Sequence, residues 1–139
     1  MGLKELKKQI SKEMFHSKEV FLTAHKEIDL DAFASMVGFS LISKKYKNKT
    51  YLIIDDKEIE PATKQALNSV KSKINIITSK KAKGLITKKS ILYILDTNKP
   101  KLICCENLLE NFKEVTVIDH HTKSQETLKS KKLYIDEKS

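Results

Sequence analysis

The sequence predicts an α/β fold: a mostly parallel sheet with helices on both faces. Three observations carry that expectation. Short apolar runs of strand length alternate with amphipathic stretches along the whole chain. The 139 residues hold only three Gly, two Pro and no Trp, which disfavours a turn-rich all-β domain. Three of the apolar runs, 20–24, 91–95 and 115–118, are followed at once by Asp or His, as strand ends in open parallel sheets often are.

Leu3 to Phe15 reads as an amphipathic helix, with Leu3, Leu6, Ile10 and Met14 at three- and four-residue steps. Val20 to Ala24 is a strand-length run ending at His25. From Leu30 to about Lys45, Phe33, Met36, Val37 and Leu41 mark one helical face, and Asp29 or Asp31 suits its start. Thr50 to Ile54 is a second strand, closing on Asp55-Asp56, which we read as loop. Pro61 fits the first turn of a helix running to Val70. Ile74 to Thr78 is a third strand, and Lys80 to Lys89 is basic and weakly helical. Ile91 to Leu95 ends at Asp96, Glu106 to Phe112 is a short helix, and Val115 to Ile118 leads into Asp119-His120-His121. Leu133 to Ile135 adds a last strand after a polar loop. With no internal repeat or low-complexity linker, the economical division is an N-terminal helix, 1–17, and one domain, 18–139.

Basic residues number 27 against 18 acidic, a formal net charge of +9. That balance attracts anions, whether nucleic acid, a nucleotide or an anionic membrane surface, and it equally suits a solvated lysine surface. The pairs Lys44-Lys45, Lys80-Lys81 and Lys88-Lys89 have no interleaved aromatic residues to stack on bases. Adjacent Cys104 and Cys105 would close almost no loop as a disulfide and lack CxxC spacing, so a reduced pair in a cytoplasmic protein is expected. No apolar run reaches the roughly 18 residues of a membrane span, and the N-terminus lacks a signal-peptide apolar region.

The chemistry-bearing residues gather at strand ends. His25, Asp29, Asp31, Asp96, Asp119, His120 and His121 would converge in one crevice if their strands are neighbours. Several carboxylates at such close quarters repel one another and call for compensating cations. A mixed His/Asp set suits Mn²⁺ or another transition ion better than Ca²⁺, and a pair of such ions would activate water against a phosphoryl centre. Singly, each residue has a plainer reading. His25 fits an ordinary surface or core histidine, Asp29 or Asp31 a helix cap, and Asp96 the start of a turn; Asp-His-His alone has little specificity. Their joint order, each at a strand end, favours the site.

Taken together, His25-Lys26-Glu27-Ile28-Asp29-Leu30-Asp31-Ala32 resembles the H-x-x-x-D-x-D-A motif of the DHH phosphoesterases. Asp96-Thr97 resembles that family's single-aspartate second motif, and Asp119-His120-His121 the triplet that names it. The Lys after the first His and the stretch LDTNKPKL ahead of VIDHH are more similar to the GdpP-type cyclic-di-AMP phosphodiesterases than to other branches. The resemblance implies a two-Mn²⁺ phosphodiesterase acting on a cyclic dinucleotide. In it His25 and Asp29 would hold one ion, Asp31 and His120 the other, and Asp96 would bridge them. Asp119 would orient His120, and His121 would face the substrate phosphate.

The family also carries a fourth-motif aspartate and then a substrate-binding DHHA1 domain with a glycine-rich signature. Neither is found in these 139 residues; Asp136 matches a segment ahead of the family's Ser-rich stretch rather than the missing ligand. The expectation is an incomplete unit, completed by a separate chain or a downstream region, with the second ion weakly held. Other readings are a DHH nuclease on short oligonucleotides and a basic, non-catalytic nucleotide- or nucleic-acid-binding remnant.

Overall fold

The computed structural model of the chain describes residues 3–55, 59–95, 106–119 and 132–135. Helix α1 (Leu3–His16) leads into strand β1 (Glu19–Thr23), then α2 (Leu30–Lys44), β2 (Lys49–Ile53), α3 (Pro61–Val70) and β3 (Asn75–Ile77). Helix α4 (Ser79–Lys83), β4 (Ser90–Leu95), a 3₁₀ turn over Glu106–Asn111, β5 (Glu114–Asp119) and β6 (Lys132–Ile135) complete the order.

The strands form one six-stranded sheet in the order β3-β2-β1-β4-β5-β6, and every pairing is parallel. This is the α/β architecture expected from the alternation. Because the sheet is covered on both sides, its strands are apolar at successive positions instead of every second one. Val20, Leu22, Leu52, Ile91, Tyr93 and Leu95 turn to the face covered by Ile10 and Met14 of α1 and by Ala32, Phe33 and Met36 of α2. Phe21, Ile53, Leu92, Ile94 and Val117 turn to the other face, against Ala82 of α4 and Leu108 and Phe112 around the 3₁₀ turn.

The winding reverses once. From β1 the chain builds outward through β2 to β3, then returns to place β4 on the other side of β1 and continues to β5. The carboxyl ends of β1 and β4 therefore flank a topological switch point, where open α/β sheets form their ligand crevice.

Buried polar side chains lock the central strands. The Tyr93 hydroxyl and Thr116 Oγ1 donate to Glu13 Oε1 of α1, at 3.0 and 3.3 Å. Ser90 Oγ donates to Glu19 Oε1 at 2.7 Å, joining β4 to β1.

One element departs from the expected outline. The basic stretch 80–89 is helical only over its first part, Ser79–Lys83, ending at Gly84. Beyond it Thr87 N–H donates to Ser90 Oγ and Lys89 N–H to Thr87 Oγ1, so side-chain hydroxyls take the donors a helix would use. The short helix expected over 106–112 is a 3₁₀ helix, Glu106–Asn111. Among the described residues no helix is long and apolar enough to cross a membrane.

Candidate functional site

The loop from β1 to α2 is pinned by two buried residues. Ala24 and Ile28 are fully buried at its two ends, while His25, Lys26 and Glu27 between them reach toward solvent. Reversing the chain in so few residues forces Glu27 to φ 54°, the left-handed region that a non-glycine residue enters at a cost.

Asp29 ends the loop as the N-cap of α2. Its φ −85° and ψ 175° are extended, and its Oδ1 accepts from Ala32 N–H at 2.8 Å. The second oxygen is left over. Asp29 Oδ2 lies 3.8 Å from His25 Nε2, with the two side chains 45% and 24% exposed. That gap is too wide for a hydrogen bond. It is within the span of two ligands on one cation, which at roughly 2.1 Å each sit no more than about 4.2 Å apart.

The other imidazole nitrogen is occupied. His25 Nδ1–H donates to the Lys26 carbonyl at 2.6 Å, and in the neutral ring the lone pair then sits on Nε2, the nitrogen nearer Asp29. A backbone carbonyl holding the far nitrogen is the usual support of a metal-binding histidine. Asp31 sits in the first turn of α2, exposed, where a carboxylate complements the helix dipole. His25, Asp29 and Asp31 thus lie along one loop-to-helix junction at the carboxyl end of β1.

The other expected residues are distributed as follows. Asp119 is the last residue of β5. Asp96, His120, His121 and Asp136 lie outside the described residues, as do Asp56, Cys104 and Cys105. What the sheet does fix is their approach. Thr23 of β1 pairs with Ile94 of β4, and Leu95, the residue before Asp96, pairs with Ile118, the residue before Asp119. The three strands that lead into the three motifs are adjacent, parallel and level. Among the described residues no group of three His, Cys, Asp or Glu side chains is arranged to hold a metal ion.

Two features here were not visible in the sequence. The Lys26 carbonyl that orients His25 is a backbone atom and leaves no residue-type signal. Asp55, read as loop, has a defined structural role, because its Oδ1 accepts from Ser79 N–H at 2.7 Å and ties the exit of β2 to the start of α4.

Residues 19–139 match the model of the DHH family, N-terminal domain. The chain belongs to the DHH family. The matched segment begins at the first residue of β1, so α1 precedes it. Among curated proteins, the chain is 31% identical over 114 residues to the cyclic-di-AMP phosphodiesterase PdeA of Listeria monocytogenes, covering 79% of this chain and 17% of that protein. It is 26% identical over 118 residues to the cyclic-di-AMP phosphodiesterase GdpP of Geobacillus thermodenitrificans, covering 82% and 18%. It is 30% identical over 123 residues to a membrane protein–large ribosomal subunit bL9 fusion protein of Onion yellows phytoplasma, covering 84% and 14%. The chain thus spans less than a fifth of the length of these relatives.

Proposed function

We propose that this chain supplies the metal-holding part of a phosphodiesterase that hydrolyses cyclic di-AMP in the presence of Mn²⁺. The observation that carries the reading is the neighbourhood of β1, β4 and β5, whose carboxyl ends lead into His25–Asp31, Asp96 and Asp119-His120-His121. PdeA and GdpP, by name cyclic-di-AMP phosphodiesterases, lend it the substrate.

The donor set fits divalent ions. His25 and Asp29 would hold one, Asp31 and His120 a second, and Asp96 would be shared. When bound, such ions lower the pKa of a bound water and set positive charge against the phosphoryl oxygens.

The chain's own residues prepare that site. The Lys26 carbonyl keeps the His25 lone pair on Nε2. The Ala32 N–H fixes one oxygen of Asp29 and leaves the other free to ligate. The N-terminus of α2, with its partial positive charge, eases the crowding of Asp29 and Asp31 and favours an approaching phosphate. Asp119 would hold His120 in its ligating orientation, and His121 would donate to the phosphate. Substrate grip would come from a DHHA1-type domain and a further ligand from the fourth-motif aspartate that precedes it, supplied by another chain or another part of a longer one. Orientation of substrate contributes roughly 7–11 kcal/mol to such reactions, so the 139-residue chain alone should turn over little.

The test is product formation from cyclic di-AMP in Mn²⁺ by the 139-residue chain, alone and joined to the C-terminal part of a relative. Activity in the joined form that disappears with Asp96→Ala supports the reading. A joined form that is folded and binds Mn²⁺ but leaves cyclic di-AMP intact, while cutting short oligonucleotides, replaces it with the nuclease reading.

A further inference from the structure

The lysines of this chain are not evenly spread over the fold. Each of β1 to β5 is entered through an exposed lysine: Lys18, Lys49, Lys73, Lys89 and Lys113 in turn stand at or within two residues of a strand's first residue. All five therefore line the amino edge of the sheet, opposite the candidate site. The turns carrying them are joined laterally. Lys18 N–H donates to the Lys89 carbonyl at 2.9 Å, Lys49 N–H to the Lys18 carbonyl at 3.1 Å, and Lys44 Nζ to the Lys73 carbonyl at 2.9 Å.

Little negative charge opposes this row. Glu13 and Glu19 are buried and turned inward, onto Tyr93 and Thr116 in one case and Thr87 and Ser90 in the other. Glu110 and Glu114, on either side of Lys113, are exposed carboxylates beside this row. Among the described residues no lysine is within ion-pair distance of a carboxylate. Lys18, Lys73 and Lys113 follow within three residues of a helix's last residue, near the end where the dipole attracts cations. Together the five lysines make this edge of the sheet positive.

An apolar side chain stands at the same edge. Phe15, in the last turn of α1, is 71% exposed. Its backbone neighbourhood is fixed, since Asn48 Nδ2 donates to the carbonyls of Met14 and Ser17. The fold thus spends rigidity on holding an exposed aromatic ring three residues from Lys18.

We propose that the amino edge of the sheet docks on a bilayer surface rich in anionic lipid, with the lysine row as electrostatic footprint and Phe15 as anchor. None of the 27 basic residues is Arg, the residue that reads phosphates and bases through a planar fork. Point charges along a straight edge suit a smeared field of lipid headgroups better than discrete strand phosphates, and a single exposed ring beside them suits the headgroup layer. Strands of five or six residues separate this edge from the candidate site by roughly 17–20 Å, so docking leaves the site facing water.

The experiment is flotation of the 139-residue chain with phosphatidylcholine vesicles, with and without about 30 mol% phosphatidylglycerol. Expected is a preference of about tenfold or more for the anionic vesicles, lost near 0.5 M salt. The triple variant Lys18→Glu/Lys49→Glu/Lys89→Glu should bind at least about 100-fold more weakly. A triple of exposed lysines in the opposite halves of the helices, Lys7→Glu/Lys64→Glu/Lys80→Glu, makes the same change in net charge and should bind far better. Phe15→Ala should lower vesicle binding severalfold and leave binding to duplex DNA unaltered. Equal losses in the two triples, or no preference for phosphatidylglycerol, would overturn the proposal. So would displacement of the vesicles by duplex DNA whose binding needs the same three lysines, which would assign the edge to nucleic acid. All variants alter exposed side chains, and a far-ultraviolet spectrum and melting curve check that each is folded.

Discussion

His25 and Asp29 face each other across the turn into α2 with Nε2 and Oδ2 3.8 Å apart, while Asp29 Oδ1 caps the helix. One carboxylate thus has two separable roles. Asp29→Asn keeps an oxygen for the Ala32 N–H and should melt like the parent protein without metal. Asp29→Ala loses the cap as well and should cost about 1 kcal/mol. Both should lose the stabilisation that Mn²⁺ gives by binding the native state, about 2.7 kcal/mol at a hundred times Kd. Melting curves with and without Mn²⁺ decide it; an undiminished shift in Asp29→Asn places the ion elsewhere.

Asp96 and Asp55 both follow directly on the apolar residues of a strand and should behave oppositely. Asp96→Ala should abolish the Mn²⁺-induced stabilisation. Asp55→Ala leaves the Ser79 N–H without its 2.7 Å partner and should cost about 1 kcal/mol in urea unfolding, with the Mn²⁺ shift intact. Reversal of this pattern would move the site to the β2 side of the sheet.

Glu27 holds a left-handed φ of 54° without being Gly. Glu27→Gly should raise stability by up to about 1 kcal/mol, relief of strain outweighing the added freedom of the unfolded chain. Chemical denaturation measures it, and a loss of stability would mean that the Glu27 side chain contributes more than its backbone costs.

Glu13 is buried in α1, and Tyr93 and Thr116 donate to it. Glu13→Ala strands both hydroxyls and should cost about 2–4 kcal/mol, with Glu13→Gln intermediate. A change under about 0.5 kcal/mol would show that α1 sits on the sheet by apolar contact alone.

Most of this fold could be read locally. Continuous apolar runs gave strands because both faces are covered, and Asp29 marked the start of α2 because its cap is a side-chain property. The 80–89 stretch misled because Lys propensity says helix, while Gly84 and the hydroxyls of Thr87 and Ser90 divert the backbone donors. Strand order was not legible at all. Nothing local to residues 90–95 says that β4 returns to pair with β1 rather than extending the sheet beyond β3. Likewise, the ring orientation of His25 depends on a backbone carbonyl that any residue at position 26 would supply.

The reversal of winding also imposes an order in time. Glu19 and Ser90, the buried contact that opens the β1–β4 pairing, are 71 residues apart. At about 5–20 residues per second, a ribosome delivers β4 roughly 4–14 s after β1. Through that interval β1 can pair with β2, and β2 with β3, while the other edge of β1 stays open. The crevice between β1 and β4 has no second wall until then. The loop bearing His25 is therefore synthesised early but housed late, and a nascent chain stalled before residue 90 presents an unpaired β1 edge whose residues are all buried in the finished fold, the kind of edge that recruits other strands.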